Sequence, residues 1–158
     1  MFSERPRRTQ SGRGLPVYDL VVLDELPPVL HRMLKLWNGG DGDPADVYAR
    51  ECLTNGGPET FHPEEVLPVI ANYRTAFPDL RWEVENWFSA SDRYVLRMKA
   101  SGNHTGGAFA SEIGTALPTG RPIAFHGIEV FEVRDDRIVD VWLGWDFGQL
   151  YAAVGARI

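Results

Sequence analysis

LRWEVENWFSASDRYVLRMKAS, residues 80–101, is the stretch on which the fold turns. Leu80, Trp82, Val84 and Phe88 alternate with Arg81, Glu83, Glu85 and Trp87 as far as Ser91-Asp92. Tyr94, Leu96, Met98 and Ala100 then alternate with Val95, Arg97, Lys99 and Ser101. A period of two marks strands with one buried face. With Ala90-Ser91-Asp92 as the loop, Phe88 faces Tyr94, Glu85 faces Arg97 and Glu83 faces Lys99. Apolar and charge patterns agree on that register.

Upstream the period is helical. Leu26, Val29, Leu30, Met33, Leu34 and Trp37 form a stripe that starts after Asp24-Glu25, with Pro27 and Pro28 in the first turn. Asn38-Gly39-Gly40 stops it. The pattern predicts a second helix from Asp43-Pro44, with Val47, Tyr48 and Cys52 inward. A third is expected from Pro63 or Pro68 to Phe77, with Val66, Leu67, Ile70, Tyr73 and Phe77 as its stripe. Residues 1–16, rich in Arg, Ser, Gly and Pro, read as a flexible basic tail, and 17–158 as a single domain. The segment from Gly102 to Gly120 reads as loop. Two further strands are expected over 121–133 and 137–147, then a short helix near 149–154. Helices followed by antiparallel strands give an α+β class.

A length of 158 residues suits one domain with one core. The net charge of -6 argues against nucleic-acid binding, which needs a basic face. Cys52 is the only cysteine, which excludes an intrachain disulfide and a thiolate metal cluster and fits a cytoplasmic setting. No apolar run is long enough for a membrane helix. The four histidines show no metal-binding spacing, so no metal is expected.

The last hairpin is expected to carry the chemistry. With Arg134-Asp135-Asp136 as a three-residue loop, Val133 pairs with Arg137, Val130 with Asp140, Ile128 with Trp142 and His126 with Gly144. One face then holds His126, Ile128, Val130, Trp142 and Asp146, with His126 and Asp146 roughly 7–8 Å apart as diagonal neighbours. The other holds Phe125, Phe131, Val139, Val141, Leu143 and Trp145. The His126/Asp146 face is expected beneath the helices, and the other to be a subunit interface. A two-residue turn would instead separate His126 from Asp146. A carboxylate among apolar groups has a raised pKa and can take a proton from a carbon beside a carbonyl, while an imidazole polarises that carbonyl. Asp146 and His126 are thus the expected acid/base pair; the alternative is that Asp146 caps the last helix and His126 is structural. Trp37, Tyr73, Trp82, Met98, His104 and Trp142 are the expected substrate-binding side chains, with a backbone-bonded loop role open for His104. Glu132 and Asp140, near the hairpin tip, are expected in solvent.

Ala76-Phe77-Pro78-Asp79-Leu80, Ser101-Gly102-Asn103-His104-Thr105-Gly106, Pro118-Thr119-Gly120-Arg121 and Arg134-Asp135-Asp136-Arg137-Ile138-Val139-Asp140-Val141-Trp142, followed by Asp146, occur in that order. Together they resemble the SnoaL-like polyketide cyclase (ester cyclase) family, over roughly residues 26–155. The resemblance implies the nuclear-transport-factor-2-like fold: a cone-shaped, curved antiparallel sheet wrapped around the N-terminal helices, with a central pocket. It implies a homodimer or larger homo-oligomer and intramolecular aldol ring closure of a small hydrophobic carbonyl compound without cofactor. It assigns general acid/base catalysis to Asp146; His126 rests on the hairpin register alone. Asp136 and Asn103 depart from the family's usual Gly and Thr. Since the fold hosts several chemistries, epoxide opening in the same pocket and non-catalytic small-molecule binding remain alternatives.

Overall fold

In the computed structural model, which describes residues 23–57 and 59–155, Pro28 opens helix α1 (Pro28–Trp37) at a position where its missing N–H loses no partner. The expected tail 1–16 and most of the apolar stretch after it lie outside the described residues. Val29, Leu30, Met33 and Leu36 are buried along the α1 stripe. Asn38 ends the helix and ties it to the sheet. Its amide donates to the Leu34 and Trp82 carbonyls, both at 3.0 Å, and accepts from the Trp82 N–H at 2.9 Å.

The second expected helix is instead a single 3-10 turn, Pro44–Asp46, capped by the Asp43 carboxylate, which accepts from Ala45 N–H at 2.9 Å. The chain then enters strand β1 (Tyr48–Thr54). Tyr48 and Cys52 are both buried, four residues apart, a spacing that one face of a strand and one face of a helix have in common. Strand β2 (Thr60–Phe61) and a 3-10 turn lead into α2 (Val66–Ala76), with Pro68 in its first turn and Leu67 exposed.

Strands β3 (Arg81–Ala90) and β4 (Arg93–Asn103) follow. The expected loop after them contains a small hairpin, β5 (Phe109–Ser111) and β6 (Gly114–Ala116). Then come β7 (Pro122–Arg134), β8 (Arg137–Trp145) and helix α3 (Phe147–Ala153). The main sheet has the order β2-β1-β8-β7-β4-β3, and it curves without closing. It is mixed rather than wholly antiparallel, since β1 runs parallel to β8. The chain between Thr54 and Arg137 supplies the long crossover that a parallel pair needs.

Both long hairpins have two-residue turns and a bulge. In β3–β4, Ala90 pairs with Arg93 and Phe88 with Val95, so the expected three-residue loop is one residue too long. The register shifts between Val84 and Asn86, beyond which Glu83 faces Lys99 as expected. The extra residue reverses the faces on its turn side. Trp87 packs on the core, and Phe88 is 62% exposed. Glu85 still reaches Arg97 at 3.3 Å.

In β7–β8, Asp135 and Asp136 form the turn with φ of +47° and +57°, the two left-handed residues that a tight hairpin requires. A register shift between Glu132 and Val133 offsets the shorter turn. Val130 faces Trp142 and Ile128 faces Gly144, two residues from the expected register, so the grouping of residues by face is preserved. The side of the sheet is the reverse of that expected. Phe125 and Phe131 are buried on the inner face, while Ile128 and Trp142 are 52% and 51% exposed on the outer one. The reason is electrostatic. The outer row carries His126, Glu132, Asp140 and Asp146, whereas the inner row carries one ionisable group, Glu129.

Glu132 and Asp140 are not in solvent either. Glu132 binds Arg93 at 3.1 Å and Arg134; Asp140 accepts from Trp142 Nε1 at 2.9 Å and Gly56 N–H at 3.3 Å. Both are nearly buried on the outer face.

Candidate active site

Between the helices and the inner face lies an apolar cavity of about 170 Å³. Met33 and Trp37 come from α1, and Val69 and Tyr73 from α2. Trp82, Met98, Glu129, Leu143 and Trp145 form the sheet wall, and Phe147 the start of α3. Val69, Leu143 and Phe147 of this lining are also exposed to solvent. Its volume is close to the roughly 150 Å³ that holds a benzene ring. Trp37, Tyr73, Trp82 and Met98, all expected to face a ligand, are among the lining residues.

The aromatic wall is built edge to face. Trp82 meets Trp37 at 5.4 Å, Tyr73 at 5.8 Å and Trp145 at 4.9 Å between ring centroids, the last at 88°. Trp37 Nε1 donates to the Tyr48 hydroxyl at 2.9 Å. Gly127, directly across from Trp145, leaves room for that ring: a Cβ there would stand 2.2 Å from Trp145 Cδ2. Trp145 Nε1 in turn donates to Glu129 Oε1 at 2.7 Å.

Among the described residues, Glu129 is the one carboxylate that lines the cavity. Burial pushes its pKa up, and the Trp145 hydrogen bond opposes that in part, leaving it at about 7. As a whole residue Glu129 is partly buried. With its pKa at about 7, it is present in both protonation states near neutral pH. Burial also raises the Tyr73 phenol to about 12, so that hydroxyl stays a neutral donor.

The expected acid/base pair is placed differently. His126 and Asp146 are opposite one another, with the Asp146 N–H donating to the His126 carbonyl at 2.9 Å, but neither side chain lines the cavity. Asp146 caps α3, accepting from Gln149 N–H at 3.2 Å. His126 is on the outer face, its Nε2 3.7 Å from Glu85 Oε1. His104 is fully buried against Phe77, with Nε2 3.2 Å from the Gly107 carbonyl, and Trp142 is on the outer face over Gly56. Neither belongs to the cavity wall. Glu129 went unnoticed in the sequence. Its signal was a lone acid in the row that also holds Phe125, Phe131, Val141 and Trp145.

Among the described residues, no group of three or more His, Cys, Asp or Glu side chains is arranged to hold a metal ion, and no helix is long and apolar enough to cross a membrane. The sequence profile described as SnoaL-like polyketide cyclase matches residues 28–154. No curated protein matches the chain. Among solved structures, the chain is similar to TsrD from Streptomyces laurentii, with 20% identity over 82% of this chain and 93% of that one, TM-score 0.66. IdmH from Streptomyces antibioticus, described as a candidate polyketide cyclase, has 24% identity over 81% and 96%, TM-score 0.64. AclR from Streptomyces galilaeus, described as a candidate hydroxylase, has 22% identity over 80% and 78%, TM-score 0.64. At these identities the similarity concerns the fold.

Proposed function

Since the chain belongs to the SnoaL-like polyketide cyclase family, we propose that it closes or isomerises a ring in a small, largely apolar carbonyl compound, with Glu129 as the general acid/base. The observation that carries this reading is a single carboxylate, with its pKa near 7, in the wall of an aromatic cavity. In the ionised state Glu129 removes the proton from a carbon beside a carbonyl. The C–H electron pair moves into an enolate, whose carbon attacks a second carbonyl of the same molecule. The alkoxide formed then recovers the proton from Glu129. No electrons are gained or lost overall, so no cofactor enters the step.

The family resemblance assigns the proton transfer to Asp146; we assign it to Glu129 because Asp146 is occupied as the cap of α3. One experiment separates the two. Ring closure of a 1,5-diketone such as 2,6-heptanedione, together with α-deuterium exchange in D2O, is measured for the wild type, Glu129→Gln and Asp146→Asn. Asn also caps helices, so the second variant keeps α3. Glu129→Gln is expected to lose about 10²-fold or more, the scale of a missing general base, and Asp146→Asn to stay near the wild type. The opposite pattern returns the role to Asp146. Equal rates in all three leave only a binding cavity.

We further propose that a second copy of the chain covers the outer face. Phe88, Val95, Val130 and Trp142 pair successively across β3, β4, β7 and β8, giving one apolar row over four strands. Such a row on a monomer would remain wet. The flanking charges, Arg97 with Glu85 and Arg93 with Glu132, include both signs, as a two-fold contact between identical faces requires.

A further inference from the structure

We infer that the cavity is also a binding site for a small alkylammonium cation, tertiary or quaternary, with the aromatic side chains as its cage and Glu129 as its counter-ion. This goes beyond the ring-closure reading, since it needs Glu129 as a charge and not as a base.

Trp37, Tyr73, Trp82, Trp145 and Phe147 all line the cavity. The rings of Trp37, Tyr73 and Trp145 stand at 73°, 75° and 88° to that of Trp82, with centroids 5.4, 5.8 and 4.9 Å away. Rings set near right angles form walls that meet at corners rather than a closed stack. A cation between such walls lies against electron-rich ring faces and is attracted by their quadrupoles. Indole is the strongest of the side chains in this respect, and Trp37, Trp82 and Trp145 supply it from α1, β3 and β8.

The charge of the wall has one sign. Among the described residues, Glu129 is its one carboxylate, and no Lys, Arg or His side chain lines the cavity. A carboxylate held away from water is stable as an ion when a cation stands beside it. Here Trp145 donates to Oε1 at 2.7 Å, and Oε2 has no partner among the described residues. Oε2 is nonetheless within reach. The fully buried side-chain polar atoms without a partner are Trp82 Nε1 and His104 Nδ1, and Oε2 is not one of them. An ammonium group on the ligand supplies the missing charge, while its alkyl groups are buried against the rings. A hydrated metal ion has no such apolar surface to bury. The net charge of -6 favours the approach of a cation from solution.

Nothing else in the wall competes for the cation at moderate pH. The titratable groups facing Glu129 are the phenols of Tyr73 on α2, raised by burial to about 12, and of Tyr48 on β1, also raised by burial, whose hydroxyl accepts from Trp37. Both are neutral. The side chains contributed by α1, β3, β4, β8 and α3 are uncharged. Binding therefore follows the ionisation of Glu129, full above about 7 and weaker below it.

Choline and 3,3-dimethyl-1-butanol have the same shape and differ in one atom, a quaternary nitrogen against a quaternary carbon, so they are the test pair. Binding is measured by titration calorimetry at constant ionic strength, at pH 8 and pH 5, with the wild type, Glu129→Gln and Tyr73→Leu. At pH 8 the wild type is expected to prefer choline by about tenfold or more, and at pH 5 that preference is expected to fall by about tenfold. Glu129→Gln should show the smaller preference at both pH values. Tyr73→Leu should weaken choline more than the alcohol. In the wild type, the trimethylammonium proton resonance of choline is expected to move upfield on binding, as it does beside ring faces; this holds even if a variant fails to fold. Equal binding of the two probes, a choline preference that neither pH nor Glu129→Gln alters, or no saturable binding of choline overturns the inference. Loss of the acid/base reading has a different signature: Glu129→Gln closes the diketone ring at the wild-type rate while the choline preference still depends on Glu129.

Discussion

Trp142 and Trp145 are three residues apart on β8, and each donates its indole N–H to a carboxylate, at 2.9 Å to Asp140 and 2.7 Å to Glu129. Each lies over a glycine: a Cβ at Gly56 would stand 2.4 Å from Trp142, and one at Gly127 would stand 2.2 Å from Trp145. The chemical parts are nearly the same, yet Trp142 is half exposed on the outer face and Trp145 forms part of the cavity wall. Asp140 has Gly56 N–H as a second donor, and Glu129 accepts from Trp145. Glu129 is the carboxylate that burial drives to about 7. A Trp–carboxylate pair is thus a fastening on the outer face, where Gly56 adds a second donor to Asp140, and the proposed acid/base device where the carboxylate lines the cavity.

The largest effect that should sharpen this contrast is a pH dependence of stability. Because the folded-state pKa of Glu129 is raised, the native state holds its proton more tightly than the unfolded chain. Stability is therefore full below the unfolded carboxyl value and falls as pH rises toward about 7. Glu129→Gln removes that loss. Denaturant unfolding should show the variant stabilised by up to about 3 kcal/mol at pH 8 and little changed at pH 4. A variant no more stable at pH 8 than at pH 4, relative to the wild type, would mean that the carboxylate is well solvated.

Gly127→Ala comes next. Its Cβ collides with the Trp145 ring, and overpacking of this kind costs about 1–3 kcal/mol. Displacing Trp145 also removes the hydrogen bond that lowers the Glu129 pKa. The pH dependence described above should then extend to higher pH, which unfolding at several pH values would detect. If the midpoint stays at about 7, Trp145 is not what holds the carboxylate.

The smallest effect on the fold belongs to the outer face. Ile128→Lys, on a half-exposed residue of the outer face, should change unfolding by no more than about 0.5 kcal/mol in the separated chain. Light scattering after gel filtration should show a dimer for the wild type and a monomer for the variant. An unchanged mass would argue that another surface, or none, is covered.

Much of the fold was legible along the chain. The α1 stripe, the third expected helix and the four long strands appear where the periodicity predicts them, because one-sided burial imposes its period on each element. The 3-10 turn and β1 read as a helix because residues four apart share a face in a strand as they do in a helix. The bulge near Glu85 was invisible for a related reason: an extra residue changes no composition, yet it exchanges Trp87 for Phe88 on the buried side. The cavity was legible in part, since Trp37, Tyr73, Trp82 and Met98 all sit on inward stripes. Glu129 was not, because the pattern along β7 does not tell which of its two faces turns toward the helices.

The order of residues by itself determined that β7 and β8 form a hairpin with two apolar faces and that His126, Ile128, Val130 and Trp142 share one of them. Only the tertiary structure decided which face turns inward. Pairing within a hairpin is local and independent of what packs on it, whereas the choice of face depends on the sum of charges each row would carry beneath α1 and α2. That sum favoured the row with Glu129 alone over the row with His126, Glu132, Asp140 and Asp146.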